Sequence, residues 1–593
     1  MAKNNLPPIA IIADAHFHDT QSHYDFDGII IEGQRLTLRS WADTRRSSRV
    51  FNESKVALNT ALQDIEARGI KHVVLLGDYT DDGQNEAYER LIKLLRAHRD
   101  HYGTHFFAIT GNHDAYGPMG KHQSTRFVSG IGTTTLVTSD PEVAATETES
   151  AICTLRMFCE GVPDGVTKMS EFGLFRQTDY LHWETPFGGD DSIDSRRYDA
   201  QSADGLQLHK LVDASYLVEP ADGLWLLMID ANVFEPRVGN RKPAQKKAFL
   251  DSSDAGWNSV LRNRPYLIDW ISDVCSRAEH ENKTLIAFSH YPIIDPFADT
   301  DNNALKLFGN TEMIRRKPGE NVSTTLLDCR LRLHFSGHLH VNALSQRANN
   351  TSQIEDSAVP SLVAFPACYK IVHTSTSSLN IDTVNLNSMP LDTTLLQLYR
   401  EENKTISDHE CTALNTSNYG EFLYQRMHTR TVHHYLVKEW PKEIAESVLH
   451  STAADLACLM MVGTEDAQHS SLTNSASKIS PDQLNQIAQK MTSYQLSLDD
   501  LAACSMTQLV SDWYCLRHAR YVARDFIRPE KINLYCFLAD TFGDCALVNI
   551  DTPRSFFSVF LGLLELSITR SEKTATRERV VPANCAMQDV KFT

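Results

Sequence analysis

The chain has 593 residues, 42% of them hydrophobic and 22% charged, with a formal net charge of −18. That length exceeds what one hydrophobic core serves, so more than one domain is expected, each of ordinary soluble composition. The acidic balance argues against general nucleic-acid binding, which uses a basic surface, but leaves room for a local basic patch around an anionic ligand.

Residues 1 to about 120 alternate apolar β runs with helical periodicity. The first run, IAIIA, leads into a polar loop containing Arg39, Arg45, Arg46 and Arg49, expected to be solvated and paired with Asp43 and Glu53, the alternative being a loop folded toward the site that binds a substrate phosphate or carboxylate bidentately. A helix through Val56 to Ile65 ends at Arg68-Gly69, a basic last turn with a glycine stop. A second helix, Glu86 to His98, puts Leu91, Leu94 and Leu95 on one side between the runs HVVLL and HFFAIT. This βαβαβ pattern with short crossovers predicts a largely parallel sheet.

Residues 121–222 break the rhythm and read as an insertion near the site, in which Tyr180, His182 and Trp183 are packing anchors or a stacking platform for a base. The run LWLLMI ends at Asp230 and Asn232, expected to be structural, and a helix from about Pro265 to His280 leads to TLIAF. After His340 the segments SLVAFPACYKIVH and TLLQLYREE read as β-like. From Pro441 the pattern is helical: Ser480-Pro481-Asp482-Gln483 is a capping box, with Leu484, Ile487, Met491 and Tyr494 on one face. Trp513, Tyr514, Arg517 and His518 read as the edge of a helical core. The expected organisation is a catalytic domain over 1–400, a linker over 401–440 and a helical bundle over 441–593.

Twelve cysteines are scattered with no CxxC pair, which suggests neither a zinc ribbon nor a disulfide framework and fits reduced thiols in a cytoplasm. The N-terminal apolar run is too short for a secretory signal. The segment Phe556 to Ile568, interrupted by Glu565, is shorter than the roughly 20 residues of a membrane span and reads as a core helix. No membrane association is expected.

Five short polar blocks carry the chemistry: Asp14-Ala15-His16, Gly77-Asp78-Tyr79-Thr80-Asp81, Gly111-Asn112-His113-Asp114, Ser289-His290 and Gly337-His338-Leu339-His340. Each follows a run that reads as a buried strand, and strand ends converging on one side of a sheet are where α/β proteins place their sites. The blocks offer carboxylates, imidazoles and one amide, and no thiolate. Such mixed nitrogen and oxygen donors suit Mn, Fe, Zn, Co or Ni and disfavour an all-oxygen Mg or Ca site. Seven donors exceed the needs of one ion but suit two sharing a carboxylate.

The blocks resemble the calcineurin-like metallophosphoesterases, whose pattern DxH, GDxxD, GNHD/E, a lone His and GHxH stands here as DAH, GDYTD, GNHD, SH and GHLH. The resemblance covers roughly residues 8 to 345. It implies an αββα sandwich of two mixed sheets flanked by helices, followed here by the all-α C-terminal domain. It also implies two divalent transition-metal ions, of which Mn, Fe or Zn are the candidates. Asp14, His16 and His340 are expected at one metal, Asn112, His290 and His338 at the other, with Asp78 bridging. His113 resembles the family's catalytic histidine, with Asp114 expected to orient its ring.

The implied reaction is in-line attack of a metal-bridging hydroxide on a small-molecule phosphate ester. Within the family, the opening blocks and the long insertion look most like the bacterial cyclic-nucleotide-phosphodiesterase-type branch, so a phosphodiesterase acting on a nucleotide-like ester is the first reading. A phosphomonoesterase is the alternative, and a catalytically silent scaffold a further one. The C-terminal helices could also serve a homo-oligomer or a protein partner.

Overall fold

A computed structural model describes residues 6–147, 151–242, 247–299, 302–374, 379–406, 411–462, 470–547, 549–575 and 578–583. Two sheets lie face to face. The first orders its strands Glu578–Pro582, Leu379–Asn385, Cys368–Thr374, Ile9–Ile12, His72–Leu75 and His105–Ala108. Its last three strands run parallel, and Ile9–Ile12 pairs antiparallel with Cys368–Thr374. The second sheet orders Ala343–Ala348, Gln353–Ala358, Leu333–Ser336, Thr284–Phe288, Leu224–Met228, Tyr216–Ala221 and His182–Glu184. Leu224–Met228, Thr284–Phe288 and Leu333–Ser336 are parallel to one another.

Alternation along each strand explains the layering, since successive side chains point to opposite faces. Ile9, Ile11, Val74 and Phe107 meet Leu226, Met228, Ile286, Phe288 and Phe335 between the sheets. Ala10, Ile12, Val73 and Leu75 face the other way, against Leu58, Leu62, Leu91 and Leu95 of the helices Ser54–Ala67 and Asn85–Tyr102. On the far side, Trp225, Leu227 and Ala287 pack on Trp257, Ile271, Val274 and Leu326. Both faces of both sheets are covered, which is why these strands read as unbroken apolar runs. The arrangement is the expected αββα sandwich.

Three expectations need correction. The segment TLLQLYREE is not a strand but lies in the helix Thr393–Ile406, which buries Leu395, Leu396, Leu398 and Tyr399. The Asp392 carboxylate accepts from Leu395 N at 2.8 Å, an N-terminal cap that starts a helix where apolar content alone suggested β. Residues 401–440 are not a linker: this helix continues to Ile406, and a second runs from Tyr419 to Arg430 with Phe422, Leu423 and Met427 buried. The stretch 121–222 is only partly an insertion. His182–Glu184 and Tyr216–Ala221 extend the second sheet, and Trp183 is buried between the sheets, donating from Nε1 to Gly173 O, so it is no exposed stacking surface.

The C-terminal helices do not stand apart. Phe422, Leu456, Trp513, Phe557 and Leu561 share one apolar core with Leu62, Val363 and Phe365 of the sandwich. The last described strand, Glu578–Pro582, pairs parallel with Leu379–Asn385 and completes the first sheet. There the Glu578 carboxylate pairs with the buried Lys370 ammonium at 2.9 Å and accepts from Tyr521 Oη at 3.1 Å. Ser480 and Gln483 form the expected capping box at Pro481–Thr492, burying Ile487 and Met491, whereas Leu484 is exposed. Among the described residues, no helix is long and apolar enough to cross a membrane.

Candidate metal centre

All five blocks occupy the same end of the sandwich, laced by backbone hydrogen bonds between strand ends. Asp14 N donates to Gly77 O at 3.2 Å, His16 N to Asp78 O at 2.9 Å, and Gly337 N to His290 O at 2.9 Å. Asp14, His16, Asp78, His338 and His340 all have positive φ, between 39° and 69°. Residues with a Cβ rarely adopt that conformation, and it persists where the surrounding structure enforces it, most often at functional sites. The motif glycines have a steric reason as well. A Cβ on Gly111 would run into the Asp78 carboxylate, and one on Gly337 would meet Asp14 Oδ2.

The seven donors converge. His340 Nε2 lies 3.2 Å from His16 Nε2 and 3.3 Å from Asp14 Oδ1. Asp78 Oδ2 lies 3.4 Å from His290 Nε2 and 3.8 Å from His16 Nε2, so one carboxylate reaches toward both halves of the cluster. His290 Nε2 is 3.1 Å from Asn112 Oδ1, and the His290 and His338 rings are 5.1 Å apart. Asp14, His16 and His340 form one group able to hold a cation, and Asp14, Asp78 and His290 another.

Supporting contacts aim these groups. His290 Nδ1 donates to Leu76 O at 2.7 Å, which leaves Nε2 toward the cluster. His338 Nε2 donates to Ser253 O at 3.0 Å, which leaves its Nδ1 lone pair. Asn112 Nδ2 donates to Ser253 Oγ at 3.0 Å, which turns its amide oxygen to His290. Outward hydrogen bonds of this kind set the tautomer and ring orientation of metal-binding histidines.

Burial, reinforced by Arg49, lowers the His16 pKa well below its ordinary value; burial and the His290 charge do the same for His338. Burial would raise Asp78, but His290, His113 and His16 outweigh it and hold the carboxyl ionised. Burial acts to lower His290, yet the Asp78 carboxylate pushes it up to about 9. The neutral rings of His16 and His338 beside the ionised Asp78 carboxylate are donors that fit a metal ion.

Residues 7–148 match the family model of calcineurin-like phosphoesterases. With the donor set described, the match supports a metal-dependent phosphoester hydrolase. It spans the first three blocks, while His290, His338 and His340 lie beyond it and join them only in space. A solved structure, a dimetal phosphatase from Danio rerio, aligns at 14% identity over 64% of this chain and 96% of its own, with a TM-score of 0.34. No curated protein matches.

His113 stands beside the cluster, its ring 5.0 Å from that of His16, and its backbone N–H donates to Asp78 Oδ1 at 2.8 Å. The expected partner of its ring is wrong. Asp114 does not orient it; His113 Nδ1 lies 2.6 Å from Asp82 Oδ1. Asp114 is instead fully buried and accepts from the backbone N–H groups of Asp78, Tyr79 and Gly111 at 2.6, 2.8 and 2.8 Å. It therefore ties two motif loops together, its pKa raised to about 7 by burial and by Asp78. Asp82 escaped the sequence reading although the doubled aspartate in GDYTDDGQ marks it. Burial opposes His113 protonation, but Asp78 and the Asp82 hydrogen bond raise its pKa overall.

The arginine loop is not simply solvated. Arg49 donates to Asp81 Oδ1 from Nε at 3.0 Å and from Nη2 at 2.8 Å, and Arg39 donates to Asp81 Oδ2 at 2.9 Å. Arg49 thereby reaches the wall of the cavity over the cluster, about 80 Å³ in volume, with Arg316, Arg426, Arg430 and His518. The last three come from the C-terminal half, which sequence reasoning set apart from the site. His518 Nδ1 donates to Tyr514 O at 2.8 Å, and burial, aided by Arg517, lowers its pKa to about 3, so it lines the cavity as a neutral ring. Asn232 stays structural: its Nδ2 donates to Gly111 O at 2.9 Å, while Asp230 holds Arg264 at 3.2 Å.

Proposed function

We propose that this chain is a dinuclear metal-dependent hydrolase of small-molecule phosphate esters. The observation that carries the reading is the convergence of two carboxylates, four imidazoles and one amide, with Asp78 Oδ2 lying 3.4 Å and 3.8 Å from histidines of the two halves. Asp14, His16 and His340 would hold one ion, Asn112, His290 and His338 the other, and Asp78 both, with Mn, Fe or Zn suited to the donors. When bound, such a pair supplies a nucleophile near neutral pH, neutralises the phosphoryl oxygens and orients the ester.

The chain's own residues complete the chemistry. His113, with Nδ1 engaged by Asp82, keeps Nε2 for the ester and delivers a proton to the departing oxygen. His113 and all seven donors speak against a silent scaffold. Cys159, Cys275, Cys329 and Cys368 are buried thiols outside any disulfide, which supports a cytoplasmic setting.

A phosphodiester remains the first substrate class, on the resemblance of the blocks. The small, arginine-lined cavity favours a second reading, a compact phosphomonoester, whose extra charge the arginines would hold. The deciding experiment screens Mn-loaded protein against bis-aryl phosphate, aryl monophosphate and 2′,3′- and 3′,5′-cyclic nucleotides. Preference for diesters upholds the first reading, preference for the monoester replaces it with the second, and no hydrolysis of any overturns the assignment.

A further inference from the structure

The cavity above the donors has a floor and a roof of different origin. Asp78, Asn112, His113 and the GHLH histidines make the floor, and Arg49, Arg316, Arg426 and Arg430 reach into its walls. Four guanidinium groups meet a single lining carboxylate, Asp78, in a protein whose net charge is −18. The excess is local, and composition does not force it.

Of the four, Arg49 is the most closely balanced among the described residues, by Asp81 at 2.8 Å. Arg426 is buried and spends its donors on carbonyls, Nη1 on Thr44 O at 2.7 Å and Ser47 O at 2.9 Å, Nη2 on Ser48 O at 3.2 Å. It is a positioning residue that fixes the loop carrying Arg49, and burial together with Arg430 lowers its pKa to about 10. Arg316 makes two long ion pairs, with Glu312 at 3.5 Å and Asp254 at 3.9 Å. Arg430 stacks 4.5 Å over the Tyr435 ring and has no ion pair among the described residues. The Nε atoms of Arg316, Arg426 and Arg430 are all buried, and among the described residues none has a hydrogen-bond acceptor.

A buried charged donor without an acceptor is costly, and a planar guanidinium matches phosphate or carboxylate oxygens two at a time. The proposed metal centre would take one phosphoryl group on the floor, and Arg316 and Arg430 line the same cavity. We propose that Arg316 and Arg430 form a second anion subsite, so that the preferred substrate carries a further phosphate or carboxylate besides the scissile phosphate. This inference rests on the hydrolase reading above for the first group. Through Arg430, the last residue of the helix Tyr419–Arg430, the C-terminal half takes part in substrate selection.

The test uses the full-length protein and two readouts. Calorimetry on chelator-treated protein compares pyrophosphate with orthophosphate, and steady-state rates on the Mn-loaded protein compare an aryl monophosphate, phosphoglycolate and an alkane-diol bisphosphate. Pyrophosphate is expected to bind at least about 10-fold more tightly than orthophosphate, with Arg430→Ala and Arg316→Ala each weakening it about 10-fold or more. Arg430→Lys, which keeps charge but loses the fork, recovers part of the affinity and serves if the alanine variant does not fold. A kcat/KM advantage for phosphoglycolate alone assigns a carboxylate tail, and one for the bisphosphate a phosphate tail. Equal binding of the two anions, or variants that leave pyrophosphate affinity unchanged, overturns the subsite. Loss of all turnover with calorimetry as expected overturns only the hydrolase reading.

Discussion

Removing the Asp82 carboxylate isolates the role of His113 from metal binding. In Asp82→Ala the His113 ring loses its 2.6 Å partner, while His113 N keeps its hydrogen bond to Asp78 and none of the seven metal donors is touched. A hydrogen bond to a charged group contributes roughly 1.5–3 kcal/mol, which at about 1.4 kcal/mol per decade corresponds to a roughly 10- to 100-fold fall in kcat. Metal content should stay at the wild-type level. Asp114→Asn is the counterpart: it disturbs the acceptor for three backbone donors at the root of the Asp78 and Asn112 loops, so it should lower metal content and thermal stability first. The assay pairs steady-state kinetics on an aryl phosphate with metal analysis of each purified variant. If Asp82→Ala turns over at the wild-type rate, or sheds metal while Asp114→Asn keeps it, the assignment of the two carboxylates is refuted.

Other expectations concern the cluster and the scaffold. Asp78→Asn should lower metal content and abolish hydrolysis, because one ionised group serves both halves; an active, metal-replete variant contradicts the bridging geometry. Chelation should remove activity, and Mn or a neighbouring transition metal should restore it; recovery by Mg alone speaks against the histidine-rich site.

Glu53 offers a pH test away from the metals. It is buried with Oε2 unpartnered among the described residues, and desolvation raises its pKa from 4.5 to about 7, against the pull of its own backbone hydrogen bond and of Arg426. A carboxyl raised in the folded state keeps its proton where the unfolded chain has lost it, so stability falls as pH rises from about 4.5 to about 7. That loss is about 3 kcal/mol, and Glu53→Gln should gain most in melting temperature at pH 8 and little at pH 5. An equal gain at both pH values excludes the linkage. Truncation after residue 440 should give insoluble protein, since it strips Trp513, Phe557 and Leu561 from the common core and removes the strand Glu578–Pro582; a soluble, folded fragment contradicts the shared core.

The sandwich and the polar blocks that converge at one end of it were legible because both are local signals. Apolar runs such as IAIIA and TLIAF must be buried on both faces, and each ends in carboxylate, imidazole or amide side chains that are ordinary metal donors. The helix Pro265–His280 and the capping box at Ser480 were equally plain, since periodicity and caps lie within a few residues. TLLQLYREE was misread because a short apolar run fits helix or strand, and the deciding cap by Asp392 stands before it.

What the chain alone determined, then, was which side chains could bind metal and that strands would carry them. Only the tertiary structure decided who supports and surrounds them. Asp114 follows His113 directly whereas Asp82 lies 31 residues before it, and the loop path gives the ring to Asp82. Arg426, Arg430 and His518 reach the cavity across hundreds of residues, because an apolar face shared by the first sheet and the C-terminal helices brings them there. Such long-range packing leaves no spacing rule in the sequence, whereas the donors near each strand end do.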